Sequence, residues 1–161
     1  MKQKKNRPLL LAGTVCILSL VVMVLALTFG GTRETAPFTP PPFDETAQTG
    51  TPEVPDALGW SELDAKAFQA SICGVFAPED GKADVYLTNP ETNTVWLKLR
   101  VLDDKGNTLG ETGLVKPGEY VQAITLTATP EPGTTVTLKL MAYEPETYHS
   151  AGTVTLNTTV R

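Results

Sequence analysis

Pro8 to Phe29 is a run of 22 residues without one charged side chain, PLLLAGTVCILSLVVMVLALTF. As a helix rising about 1.5 Å per residue it is roughly 33 Å long, enough to cross a hydrocarbon layer of about 30 Å. Lys2, Lys4, Lys5 and Arg7 precede it, and all 18 acidic residues follow Gly31. Basic flanks stay on the cytoplasmic side of a spanning helix. Residues 1–7 are therefore expected to form a cytoplasmic tail and residues 8–29 a single-pass signal-anchor helix in the cell membrane, with the C-terminal part extracellular. The rival is a cleaved secretory signal, whose apolar region is usually about 7–15 residues long and ends at a small-residue site. This run is longer, and Ala26-Leu27-Thr28 and Thr28-Phe29-Gly30 are poor cleavage sites.

Beyond the basic head, nine basic residues stand against the 18 acidic ones. An outer portion of that sign argues against a nucleic-acid ligand, which needs a basic face. Residues 30–58 hold Pro37, Pro40, Pro41, Pro42, Pro52 and Pro55 with many threonines and few large apolar side chains. Such a segment cannot bury enough surface to offset its ordering entropy and is expected to be a disordered linker. Thr39-Pro40-Pro41-Pro42 favours extended polyproline II, which makes a stiff spacer. Phe38 and Phe43 flank the prolines and leave open a second use, as a docking peptide for a Pro-binding module. What remains, residues 59–161, is enough for one small domain and excludes a multidomain enzyme.

Within that domain, short β-rich runs alternate with turn signals. Ser61-Glu62-Leu63-Asp64 suits the start of a short helical turn. Seven strands are then expected, over 68–76, 82–88, 94–102, 108–112, 120–127, 135–143 and 152–160. Period-two alternation is clearest in the third, with Val95, Leu97, Leu99 and Val101 on one face and Trp96, Lys98 and Arg100 on the other. Val121, Ile124 and Leu126 break alternation, which predicts a bulge near Gln122-Ala123. Asn89-Pro90, Asp103–Asn107 with Gly106, Lys116-Pro117-Gly118-Glu119 and Pro130–Gly133 supply turns. Seven strands in about 100 residues point to an all-β, seven-stranded antiparallel sandwich of immunoglobulin or fibronectin III type. A partly open barrel is the rival. Cys16 belongs to the apolar run and Cys73 to the outer domain, so no disulfide is expected inside the domain, and Cys73 in Ile72-Cys73-Gly74-Val75-Phe76 reads as buried and inert.

From Asn89 to Val160 the chain carries an Asn-Pro-x-x-Asn turn (Asn89, Pro90, Asn93), a strand, a polar hairpin and a Pro-Gly turn (Pro117, Gly118). An apolar strand follows, then a Tyr-x-Pro-x-Thr segment (Tyr143, Pro145, Thr147) and a Gly-led strand from Gly152. In these features it resembles a group of small membrane-anchored proteins of Gram-positive bacteria with an immunoglobulin-like outer domain. The resemblance implies a fold and an envelope setting, with a hint of conjugative or mobile elements nearby. Its residues are turn and strand positions and imply no chemistry.

An enzyme needs a constellation of reactive groups, and none is legible. His149 is the only histidine, and no G-x-S-x-G, P-loop or G-x-G-x-x-G is present. Glu79-Asp80 and Asp103-Asp104 with Asn107 have the oxygen-rich look of calcium loops, but turn chemistry already explains them. The expectation is a non-enzymatic module without cofactor, metal, small-molecule substrate or nucleic acid. Its partners would be the membrane, through its helix, and a protein or cell-envelope polymer. The alternative is a structural accessory subunit of a membrane-spanning transfer or secretion apparatus. Tyr86, Trp96, Tyr143 and Tyr148 are the aromatic candidates for recognition. Trp96, Lys98, Arg100 and Tyr86 form the candidate binding surface, an aromatic–cationic strip suited to an anionic or sugar-bearing partner. The competing reading places Trp96 beneath a loop.

Overall fold

The computed structural model describes residues 38–161, together with Ser19 and Met23. The expected tail at 1–7, the expected membrane helix at 8–29 apart from those two residues, and residues 30–37 of the expected linker lie outside this description. Among the described residues no helix is long and apolar enough to cross a membrane. The chain divides into two units, Met1–Thr39 and Pro40–Arg161, and the second carries the fold.

That unit is all-β. Its strands are β1 (Gln48–Thr49), β2 (Trp60–Ala65), β3 (Phe68–Cys73), β4 (Lys82–Asn89), β5 (Trp96–Leu102), β6 (Thr108–Glu111), β7 (Glu119–Thr125), β8 (Thr135–Tyr143) and β9 (Ser150–Thr159). They build a five-stranded sheet in the order β1-β7-β4-β3-β2 and a four-stranded sheet in the order β6-β5-β8-β9, with every strand pair antiparallel. Alternation explains the layering. Val85 and Leu87 of the first sheet and Leu97, Leu99, Leu138 and Leu140 of the second turn inward and meet in one core. Burial of each such side chain stabilises the fold by about 1.5–3 kcal/mol. In β9 the inward Val154 and Leu156 are only partly covered, because β9 ends its sheet.

The strand count is nine rather than seven, and both additions fall where the sequence predicts something else. Ser61–Asp64 is not a helical turn. It lies in β2, which pairs with β3 from Trp60 opposite Cys73 to Ala65 opposite Phe68. Ser61, Leu63 and Ala65 face inward in period two, and the hairpin contact outweighs the local start signals of Ser61 and Asp64. The one short helix nearby is the 3-10 turn Asp56–Leu58. β1 lies inside the Pro-rich stretch, so the expected boundary at 58 moves back to Pro40. Residues 42–50 are strapped to the domain by Leu114 N–H to the Pro42 carbonyl at 2.9 Å, Asp44 N–H to the Leu114 carbonyl at 2.9 Å and Gly50 N–H to the Gly118 carbonyl at 2.9 Å. The composition argument assumes a segment must build its own core; this one uses the edges of another.

The irregularity expected near Gln122 sits on the opposite strand. Asp84 pairs with Ala123 and Leu87 with Val121, so Val85 and Tyr86 together oppose Gln122. This is a bulge with its extra residue in β4, and Tyr86 takes φ +45° there.

The Asn89–Asn93 turn, where the chain leaves the first sheet for the second, is held by side chains. The fully buried Asn89 donates through Nδ2 to the carbonyls of Val95 and Val115, each at 2.9 Å, and accepts at Oδ1 from Asn93 Nδ2 at 2.6 Å. Asn93 in turn pairs with the backbone of Gln69, accepting its N–H at 3.0 Å and donating to its carbonyl at 2.6 Å.

Candidate functional site

With Leu97, Leu99 and Val101 in the core, Trp96, Lys98 and Arg100 must stand on the outer face of the four-stranded sheet. The expected facing of β5 holds. Register places Tyr143 of β8 opposite Trp96, Met141 opposite Lys98 and Lys139 opposite Arg100, while Glu111 of β6 lies opposite Arg100 on the other side. The outer face therefore runs from an aromatic end to a charged middle.

At the aromatic end Trp96 is half-buried. Phe43 meets its ring edge-on, with centroids 4.8 Å apart and planes at 78°. Tyr148 approaches from the other loop at 5.3 Å and 59°. Tyr148 reaches Trp96 because the loop after β8 folds back on itself. Its N–H donates to the Glu144 carbonyl at 3.0 Å, Glu144 N–H donates to the His149 carbonyl at 2.9 Å, and Tyr148 adopts φ +56°. The Lys116 ammonium lies 4.5 Å from the Phe43 centroid, a cation–π distance. The aromatic candidates Trp96, Tyr143 and Tyr148 thus share one region, and a loop does fold over Trp96.

The cations are less free than the sequence suggests. Lys98 Nζ donates to Glu111 Oε1 at 2.7 Å, and Arg100 donates to Glu111 Oε2 through Nε at 2.8 Å and Nη2 at 2.8 Å. The Lys98 side chain is only 9% exposed, so it is a corrected candidate: its charge is spent inside the sheet face. Burial alone would raise the Glu111 carboxyl, but the hydrogen bonds and charges of Lys98 and Arg100 outweigh it and hold the group below its ordinary value. Arg100 remains half-exposed at the rim.

Tyr86 does not join the strip. It belongs to β4 in the other sheet and is 7% exposed. The bulge turns it against neighbours that include Cys73, Tyr120 and Gln122; burial pushes its phenol up, followed by the charge of Asp84, while a hydrogen bond with Gln122 works the other way. Cys73 lies beside it, buried. Its single S–H is shared between two acceptors, the Asp84 carbonyl at 3.0 Å and the Val75 carbonyl at 3.2 Å. Burial first, and the Asp84 charge second, push it up to about 11, which leaves almost no thiolate at neutral pH.

Among the described residues no group of three or more His, Cys, Asp or Glu side chains could hold a metal. The Asp103 carboxylate is already engaged by Lys105 N–H at 2.9 Å, Asn107 N–H at 2.7 Å and Asn107 Nδ2 at 2.8 Å. The Asn107 side-chain bond is the main reason its carboxyl is held low. His149 is exposed in its loop. Sequence reasoning missed Asp44, Glu111 and Lys116. Phe43 carried a signal, being a large aromatic in a stretch of small and polar residues, but its receptor could not be read from spacing. No protein-family model matches this chain, and no curated protein matches it in sequence.

Proposed function

We propose that the chain is a non-enzymatic binding module, tethered to the cell membrane by the helix at 8–29, that holds a protein or envelope polymer outside the cell. The observation that carries this reading is Trp96, kept half-accessible between Phe43 and Tyr148 on the outer face of a sheet. An aromatic with a polar surround is the usual anchor of a recognition surface. Because Glu111 answers Lys98 and Arg100, the anchor is aromatic first and cationic second.

The immunoglobulin or fibronectin III reading of the fold draws on strand order. Taking β3, β4, β5, β6, β7, β8 and β9 as strands A, B, C, C′, E, F and G gives E-B-A in one sheet and C′-C-F-G in the other, the neighbour relations of that class. β1 and β2 then extend the first sheet at its two edges.

Cross-linking of the anchored protein in its native cell tests the function. A partner captured by the wild type and lost with Trp96→Ala is the expected result; capture unaffected by that change refutes the assigned face. Exchange of the helix at 8–29 for an unrelated one separates this reading from an accessory subunit of a transfer apparatus, whose assembly would fail. Protease added to protoplasts should remove the domain and leave a membrane-bound remnant. Release of the ectodomain with an N-terminus near Gly30 refutes the anchor.

A further inference from the structure

Residues 41–44 are seated on the outer aromatic face much as a bound peptide would be. The Pro42 carbonyl accepts from Leu114 N–H and the Asp44 N–H donates to the Leu114 carbonyl, both at 2.9 Å, so Phe43 forms a one-residue parallel bridge with Leu114. The Phe43 ring contacts both Trp96 and the Lys116 ammonium. Asp44 Oδ2 accepts from Gly113 N–H at 2.7 Å. Backbone pairing, an aromatic contact and an amide for a carboxylate are three independent elements of peptide recognition.

The receptor side is shaped for this approach. A Cβ on Gly113 would overlap the Asp44 amide and stand 2.6 Å from its Cα, so the passage exists only because residue 113 is glycine. The occupant, by contrast, is lightly held. Phe43 is 37% exposed, whereas the core phenylalanines Phe68 and Phe76 are at 4% and 1%. β1, its continuation, is two residues long and exposed. Few buried contacts and short pairing mark the least stable part of a fold. The prolines before Phe43 pre-extend the backbone and lower the entropy lost on docking.

We infer that Trp96, Leu114, Lys116 and Gly113 form a groove for an extended Pro-rich segment bearing an aromatic residue followed by an acidic one. The chain's own residues 41–44 fill it in cis, and a partner protein's segment of the same chemistry displaces them. This rests on the binding-module reading and names its partner class. A cis occupant lowers apparent affinity by the fraction of grooves left open. With a groove open roughly 1–10% of the time, a peptide in trans binds about 10–100-fold more weakly to the wild type than to a chain with its strap released.

The test uses the full chain in detergent and a fluorescent peptide Thr-Pro-Pro-Pro-Phe-Asp-Glu-Thr, copying residues 39–46. Anisotropy should report binding to the Phe43→Ala/Asp44→Ala variant at least 10-fold tighter than to the wild type. Binding should vanish for a peptide with alanine in place of phenylalanine, and when Trp96→Ala is added to the variant. A second measurement leaves the strap sequence intact: Thr49→Cys with Glu119→Cys, neighbours across β1 and β7, should weaken peptide binding on oxidation and restore it on reduction. Absence of binding to a strap-released variant that still melts cooperatively overturns the inference, as does equal binding to variant and wild type. Concentration-dependent self-association of the wild type that Phe43→Ala abolishes also overturns it, in favour of strap exchange between copies. If the peptide fails while partner capture still depends on Trp96, only this inference falls; if capture is also independent of Trp96, the module reading falls with it.

Discussion

Replacing Asn89 with alanine should be among the most damaging single changes in the domain, although the residue is neither apolar nor in any reactive group. Asn89 is fully buried and makes three side-chain hydrogen bonds, two as donor and one as acceptor. Each is worth about 0.5–1.5 kcal/mol net, and a buried group left unpaired costs about 1–3 kcal/mol. The carbonyl of Val115 also accepts from Leu97 N–H, so one of the two acceptors keeps a partner. The expected loss is about 3 kcal/mol, a large share of the roughly 5–15 kcal/mol that holds such a domain together. For a unit of this size the midpoint should fall by on the order of 10 °C. The assay is thermal and urea unfolding of the purified chain followed by far-ultraviolet circular dichroism. Asn93→Ala, which spares both carbonyl contacts of Asn89, should cost about half as much. Asn89→Asp adds a sharper test. A carboxylate there would face two carbonyls without water, so its folded pKa must rise above the unfolded value. The variant should be weakest at neutral pH and recover relative to wild type as the pH falls, because a protonated carboxyl can donate once. A loss below about 1 kcal/mol for Asn89→Ala, or no pH recovery for Asn89→Asp, would refute the idea that this amide fastens the crossing between the sheets.

Trp96→Ala should cost about 1–3 kcal/mol, from two aromatic contacts at a half-buried site, and less than the roughly 3–5 kcal/mol of a fully buried aromatic; urea titration checks it. Glu111→Gln should lower stability at pH 7 and flatten the acid limb of the stability curve. The folded carboxyl lies below its ordinary 4.5, so its contribution is complete above that value and is lost as the pH falls through the folded pKa; an unchanged slope below about pH 5 contradicts the assignment. Cys73 should resist iodoacetamide in the native chain at pH 8 and react once urea unfolds it, since its thiol is buried and raised to about 11; mass spectrometry reads the adduct.

Much of the layering was legible because alternation is a property of each strand alone. Val95, Leu97, Leu99 and Val101 predict the inner face of β5, and with it the outer position of Trp96. All seven expected strands are present, and the turns at Asn89-Pro90 and Pro117-Gly118 stand where their residues place them. What was not legible depends on residues far apart in sequence. Lys98 and Arg100 read as free cations because Glu111, more than ten positions later, is brought opposite them only by the pairing of β5 with β6. Tyr86 read as exposed because nothing local announces an extra residue against Gln122; the broken alternation of Val121 and Ile124 located the irregularity but could not assign it to one strand or the other.

The Pro-rich segment is the most instructive of these differences, because the physical premise behind the expectation was sound. Residues 40–50 cannot fold alone: they contain one large apolar side chain and no periodic pattern. Docking needs less than folding. One parallel bridge at Phe43, one carboxylate on Gly113 N–H and two residues of strand against β7 fix the path of the segment, and the prolines reduce the entropy that must be overcome. The decisive residue for that path is not in the segment at all. It is Gly113, whose missing side chain admits the Asp44 backbone. A glycine beside a strand reads in sequence as a weak point or a bulge; here it is a complementary surface, and complementarity cannot be seen until both partners are in place.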